Sequence, residues 1–146
     1  MKISMACDHG GFDLKEDLKR WLTEQGHQVE DFGCPGHDIC DYADFAGPAA
    51  QAVAEGRCDR GIVICTTGIG VSITANKVRG IRCALCSEPW SAEMTRRHND
   101  ANMLALGAGI TGPLMARQIV TAFLTHEFEG GRHQRRIDKM MAAENR

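Results

Sequence analysis

The sequence shows no surplus of either charge: 17 Lys and Arg stand against 19 Asp and Glu among 146 residues, a formal net charge of -2. Such a balance leaves no electrostatic footprint for nucleic acid or an anionic membrane surface. No apolar stretch approaches the roughly 18 residues of a membrane span. The N-terminus, Met1-Lys2-Ile3 leading into Asp8, lacks the apolar segment of a secretory signal, so the expectation is a cytoplasmic protein. Internal repeats and low-complexity linkers are also missing. One domain over residues 1–146 is therefore expected, long enough to bury a core of its own.

Cysteine is not scarce, but its pattern excludes a disulfide framework. Seven is an odd count, the spacing is irregular, and no secretory segment precedes it, which favours reduced thiols. Cys83-Ala84-Leu85-Cys86 is the one C-x-x-C pair. A strand over Ile81 to Leu85 sends its two thiols to opposite faces, which suits neither a redox couple nor half of a zinc site.

Two further absences define the glycine-rich stretch that ends the run Gly61-Ile62-Val63-Ile64-Cys65-Thr66-Thr67-Gly68-Ile69-Gly70. Val71-Ser72 stand where a Walker loop has Lys followed by Ser or Thr. Ile73 stands where a dinucleotide fingerprint has its third glycine, and no acidic residue follows at the usual distance. Nucleotide binding is thereby disfavoured. What remains is a buried β-branched strand turning sharply into a helix, with unpaired N–H groups and a helix dipole aimed over the strand end. Cys65 sits on that rim, where a thiol tends towards thiolate and can serve as base or nucleophile. The alternative is a small core residue.

Around this junction the pattern alternates strand and helix. Ile3 to Cys7 predicts a first strand, followed by the turn Asp8-His9-Gly10-Gly11. Phe12, Leu14, Leu18, Trp21 and Leu22 then predict an amphipathic helix that Gly26 ends. Gln28 to Phe32 is a second strand and 33–42 a loop; Ala46, Ala49, Ala50, Val53 and Ala54 mark a helix with a thin alanine face. After the central strand, Val71 to Val78 predicts a helix, Ile81 to Leu85 a strand, and Ser87-Glu88-Pro89 a helix start capped by Ser87. Met103 to Leu106 is a fifth strand. Leu114 to Leu124 forms a strongly periodic helix, and a last helix starts near Arg132. This rhythm predicts an α/β, doubly wound (Rossmann-like) sandwich around a five-stranded parallel sheet, with ligands over the carboxyl ends of the strands.

Three further groups invite a functional reading beside a structural one. Asp8 and His9 follow a strand and could supply an acid and an anion contact, or merely cap the next helix. His98 and Asn99 close a helix, where a cationic His is favoured by the dipole. Arg132 and Arg136 share one face of the last helix, with His133 adjacent, a spacing suited to three phosphate oxygens. Arginine is repelled by the dipole in a first turn, which hints at an anion between them.

Cys7-Asp8-His9-Gly10-Gly11, Cys65 to Gly70 with Ser72 to Lys77, Cys86-Ser87-Glu88-Pro89, His98-Asn99-Asp100-Ala101-Asn102 and Gly130-Gly131-Arg132-His133 together resemble the type B ribose-5-phosphate isomerases. Galactose-6-phosphate and allose-6-phosphate isomerases belong to the same wider family. The resemblance spans essentially the whole chain. It implies an aldose–ketose isomerase without metal or cofactor, acting on a phosphorylated sugar as a homodimer or a dimer of dimers, with sites at the subunit interface. Carried over, Cys65 is the base between C1 and C2, while Thr67 and the amides of Gly68, Ile69 and Gly70 hold the enediolate oxygen. Asp8 and His98 assist ring opening, Asn99 contacts sugar oxygens, and His9, Arg132 and Arg136, beside His133, grip the phosphate. Val71 stands near where some members place a glutamate base, which leaves Cys65 alone in that role. Two departures widen the substrate range: Thr66 stands where glycine is common, and Gly109 where an arginine is common. A tetrulose 4-phosphate or a hexose 6-phosphate is compatible. The competing classes are a non-catalytic sugar-phosphate or nucleotide binding module and, on Cys83 and Cys86, a thiol redox protein.

Overall fold

Ile62-Val63-Ile64 and Leu104-Ala105-Leu106 are wholly buried, as strands covered on both faces must be. The computed structural model describes residues 1–146 and contains five strands: β1 Lys2–Cys7, β2 Gln28–Asp31, β3 Arg60–Cys65, β4 Cys83–Leu85 and β5 Met103–Gly107. All neighbours pair in parallel, in the order β2-β1-β3-β5-β4. The helices are α1 Phe12–Glu24, α2 Ala43–Ala54, α3 Ile69–Asn76, α4 Pro89–Asn99, α5 Pro113–Thr125 and α6 Arg132–Met141. None is long and apolar enough to cross a membrane.

The helices divide between the two faces of the sheet. Leu14, Leu18 and Leu22 of α1 and Ile119, Val120 and Phe123 of α5 pack with Ile3, Met5, Ile62, Ile64, Leu104 and Leu106. On the other face, Ala46, Ala49, Ala50 and Val53 of α2 and Val71 and Ala75 of α3 meet Ala6, Val63 and Ala105. The expected doubly wound sandwich with five parallel strands is therefore present. Cys86 packs in the first layer and Cys83 against the second, so the two thiols do face apart. Burial pushes Cys83 up to about 12 and Cys86 to about 11, which leaves both protonated at neutral pH.

Several boundaries differ from the sequence reading, β2 ending at Asp31 and β5 at Gly107 among them. The third helix starts at Ile69 and stops at Asn76, instead of spanning Val71 to Val78. β4 starts at Cys83 and not at Ile81, because the Arg82 amide donates to the Asn102 side chain (2.8 Å) and the Ile81 amide to the Val78 carbonyl. Ser87 does not cap α4. Glu88 does, its carboxylate accepting from the Ser91 amide at 2.9 and 3.1 Å.

β1 and β3 are neighbours, yet the chain leaves β1 for a helix on one face and β3 for a helix on the other. That divergence opens a crevice over their carboxyl ends.

Candidate active site

Asp8 and Cys65 stand at the two lips of this crevice. The Asp8 carboxylate accepts from the Gly10 and Gly11 amides at 2.9 and 3.2 Å, and its own amide donates to the Ile64 carbonyl (3.2 Å). The expected capping role is thus real, and the same bonds tie the turn to β3. His9 accepts at Nδ1 from the Cys40 amide (3.3 Å). This contact assigns the acceptor role to Nδ1 and leaves Nε2 to carry the proton, free to donate to an anion.

Cys65 is 5% exposed, and the Gly68 amide donates to its sulfur at 3.1 Å. Gly68 makes this possible with φ at 78°; a Cβ there would lie 2.5 Å from Leu85 Cδ1 and 2.8 Å from the Leu106 carbonyl carbon. The Ile69 amide donates to the Thr67 hydroxyl (3.3 Å). Gly70 precedes the first helical bond of α3, which runs from the Ser72 amide to the Gly68 carbonyl, so its amide is one of the orphans of the helix start. Of the three collar amides, one is thus engaged by sulfur and one by a hydroxyl. A cavity of ≈ 300 Å³ opens beside the loop between Thr67, Ile69, Ser87, Gly107 and Thr111.

The other candidates lie elsewhere. α4 returns from the carboxyl edge of the sheet to the amino edge, so His98 and Asn99 at its end lie beside the strand starts. There the Asn99 carbonyl accepts from Arg82 Nε (2.9 Å), just before β4, and the Gly61 amide at the start of β3 donates to the Asn102 carbonyl. α6 joins the same edge. His133 is 5% exposed and its ring stacks on His98 at 4.3 Å and 11°. Burial lowers the His133 pKa below its ordinary value, helped by His98 and Arg132. Arg132 and Arg136 are exposed. The six residues of β3 separate the two groups, five steps at about 3.3 Å or roughly 16 Å.

One chain therefore brings together Asp8, His9, Cys65, Thr67, Gly68, Ile69 and Gly70 at one edge. It brings together His98, Asn99, Arg132, His133 and Arg136 at the opposite edge, and does not join the two sets. Cys65 itself lies in the α2–α3 core layer, with its sulfur tied to the Gly68 amide at the edge of that layer.

Some contacts went unforeseen. Glu129 sits 3.7 Å from His133 Nε2 and accepts from Arg97 Nε at 2.6 Å; its i, i+4 spacing to His133 was the available signal. Cys40 and Tyr42, within the stretch read only as loop, reach His9 and the Gly70 backbone. Ligand atoms of His98, Glu129 and His133 lie within 4.8 Å of one another. The parallel stacking of the two rings sends their in-plane lone pairs side by side instead of towards one ion. A larger cavity, ≈ 540 Å³, lies near Asn99 under the C-terminal segment, and its Arg79 is paired with the Glu144 carbonyl and Asn145.

The Ribose/Galactose Isomerase family matches residues 3–140. The chain belongs to that family. Ribose-5-phosphate isomerase B of Escherichia coli is 48% identical over 145 residues, covering 99% of this chain and 97% of that protein. The structure of Clostridium thermocellum ribose-5-phosphate isomerase B superposes with a TM-score of 0.98 at 50% identity, covering 99% of this chain and 98% of that one. The Mycoplasma genitalium ribose-5-phosphate isomerase B, solved with bound ribulose-5-phosphate, gives 0.94 at 40% identity, with 99% and 96% covered. The family resemblance drawn from the five motifs is thus established over nearly the whole chain.

Proposed function

We propose that the chain is an aldose–ketose isomerase that interconverts ribose 5-phosphate and ribulose 5-phosphate through a cis-enediolate. The observation that carries this reading is the pairing of the Cys65 sulfur with the Gly68 amide at the β1/β3 crevice, in a member of an isomerase family. As thiolate, Cys65 removes the C2 proton of the open-chain aldose while the C1 carbonyl gains negative charge. A proton moves between O1 and O2, and the thiol returns hydrogen to C1. Thr67 and the Gly70 amide face the developing oxygen charge, where preorganised donors count most.

The site is completed by a second copy of the chain. The roughly 16 Å between the two residue sets supports a homodimer in which His98, Asn99, Arg132 and Arg136 of one copy cover Cys65, Asp8 and His9 of the other. Asp8 and His98 then assist ring opening. His9 Nε2 and the two guanidiniums hold the phosphate.

A tetrose 4-phosphate or hexose 6-phosphate substrate is the second reading, favoured by Gly109, which brings no side chain to the loop over the crevice. Incubating the protein with tetrose, pentose and hexose phosphates in D₂O and following the NMR spectrum tests both. Exchange and isomerisation are expected first with ribose 5-phosphate. A better tetrose or hexose substrate moves the assignment to that sugar, and no exchange with any of them means a binding module.

A further inference from the structure

Thr66 follows Cys65 and is exposed, and its side chain belongs to none of the hydrogen bonds that hold its loop together. Its backbone is nonetheless pinned. The Thr66 carbonyl accepts from the Gly109 amide (2.8 Å), as the Cys65 carbonyl does from Ala108 (2.9 Å). Its side chain is wedged between two glycines: a Cβ on Gly10 would collide with the Thr66 hydroxyl, and a Cβ on Gly109 would come within 3.1 Å of the Thr66 methyl. Thr66 and Gly109 are thus in contact, and the Thr66 methyl occupies the space above the Gly109 backbone.

The methyl is therefore seated and the hydroxyl is aimed. It lies on the side of the Asp8–Gly11 turn, whose carboxylate is 3.3 Å from the same Gly10 Cβ position. Cys65 addresses C1 and C2 of the sugar, and the turn carries Asp8 and His9, which address the ring oxygen and the phosphate end. A hydroxyl between them meets the middle of the carbon chain. We infer that Thr66 is a substrate-binding residue whose hydroxyl hydrogen-bonds the C3 hydroxyl of the sugar phosphate, making this enzyme selective for substrates that carry one. This rests on the isomerase reading above.

Thr66→Val keeps the methyl packing and removes the hydroxyl; Thr66→Ser does the reverse. Both are assayed with ribose 5-phosphate and 3-deoxyribose 5-phosphate. The expected result is a fall of about tenfold in kcat/KM for Thr66→Val on ribose 5-phosphate, little loss for Thr66→Ser, and equal rates for Thr66→Val and the unaltered enzyme on the deoxy sugar. An unchanged Thr66→Val, equal losses on both sugars, or a Thr66→Ser as poor as Thr66→Val overturns the inference. Failure of the unaltered protein on every sugar phosphate would instead overturn the isomerase reading.

Discussion

If each site takes Cys65 from one chain and His98 from another, two inactive variants must rescue each other. Cys65→Ala homodimers lose the base in both sites, a loss of roughly 10²–10⁴ in rate. His98→Asn homodimers lose the ring-opening partner in both. In a mixed dimer the geometry puts both defects in one site and none in the other, because the two residues sit at opposite edges of the same sheet. Random re-association of equal amounts makes about half the dimers mixed, each with one intact site of two, so about 25% of full activity returns. Purifying the mixed species through two different affinity tags should raise this to about 50% per dimer. The assay is ribulose 5-phosphate formation after denaturation and co-refolding, with native mass spectrometry to count mixed dimers. A site built within one chain leaves a defect in every site of every dimer. Mixed dimers no more active than their parents would therefore refute the two-chain arrangement.

Other outcomes follow from the same geometry. Arg136→Ala should raise KM by about tenfold or more with kcat less affected, as initial-rate kinetics will show, if the guanidinium holds the phosphate remote from the reacting carbons as proposed. Gly68→Ala should cost about 2–5 kcal/mol in urea denaturation, since a methyl there meets Leu85 and the Leu106 backbone at a φ of 78°. His133 has a folded pKa below its ordinary 6.5, through burial first and then through His98 and Arg132. The unfolded chain thus takes up a proton that the folded chain refuses, so this contribution is intact above pH 6.5 and is lost as pH falls below it. Thermal melts from pH 8 to 5.5 should fall less steeply for His133→Gln than for the unaltered chain.

Much of this was legible in the sequence. The β-branched run into Thr67-Gly68-Ile69-Gly70 announced a strand, a tight turn and a helix start, since only a glycine readily takes the Gly68 conformation. The sheet's strand count followed from the alternating pattern. The start of β4 did not, because an Asn102 side chain twenty residues away takes up the Arg82 amide, and propensity sees no such partner. The cap of α4 moved by one residue for a similar reason: both Ser87 and Glu88 can accept, and the backbone chose the longer carboxylate.

The division of the site was less visible. Five motifs in order say nothing about the edge each occupies, although a helix returning from a strand end must finish at the opposite edge, which is where His98 lies. The stacking of His133 on His98 joins two motifs 35 positions apart and depends on where α6 docks. No periodicity encodes that.

The central claim is that the Cys65 sulfur carries a proton between C1 and C2. Cys65→Ala, followed by NMR with ribose 5-phosphate in D₂O, tests it most directly: the variant should still bind the sugar phosphate while deuterium incorporation and ribulose 5-phosphate formation fall by about 10²-fold or more. Isomerisation and exchange at the unaltered rate would contradict it.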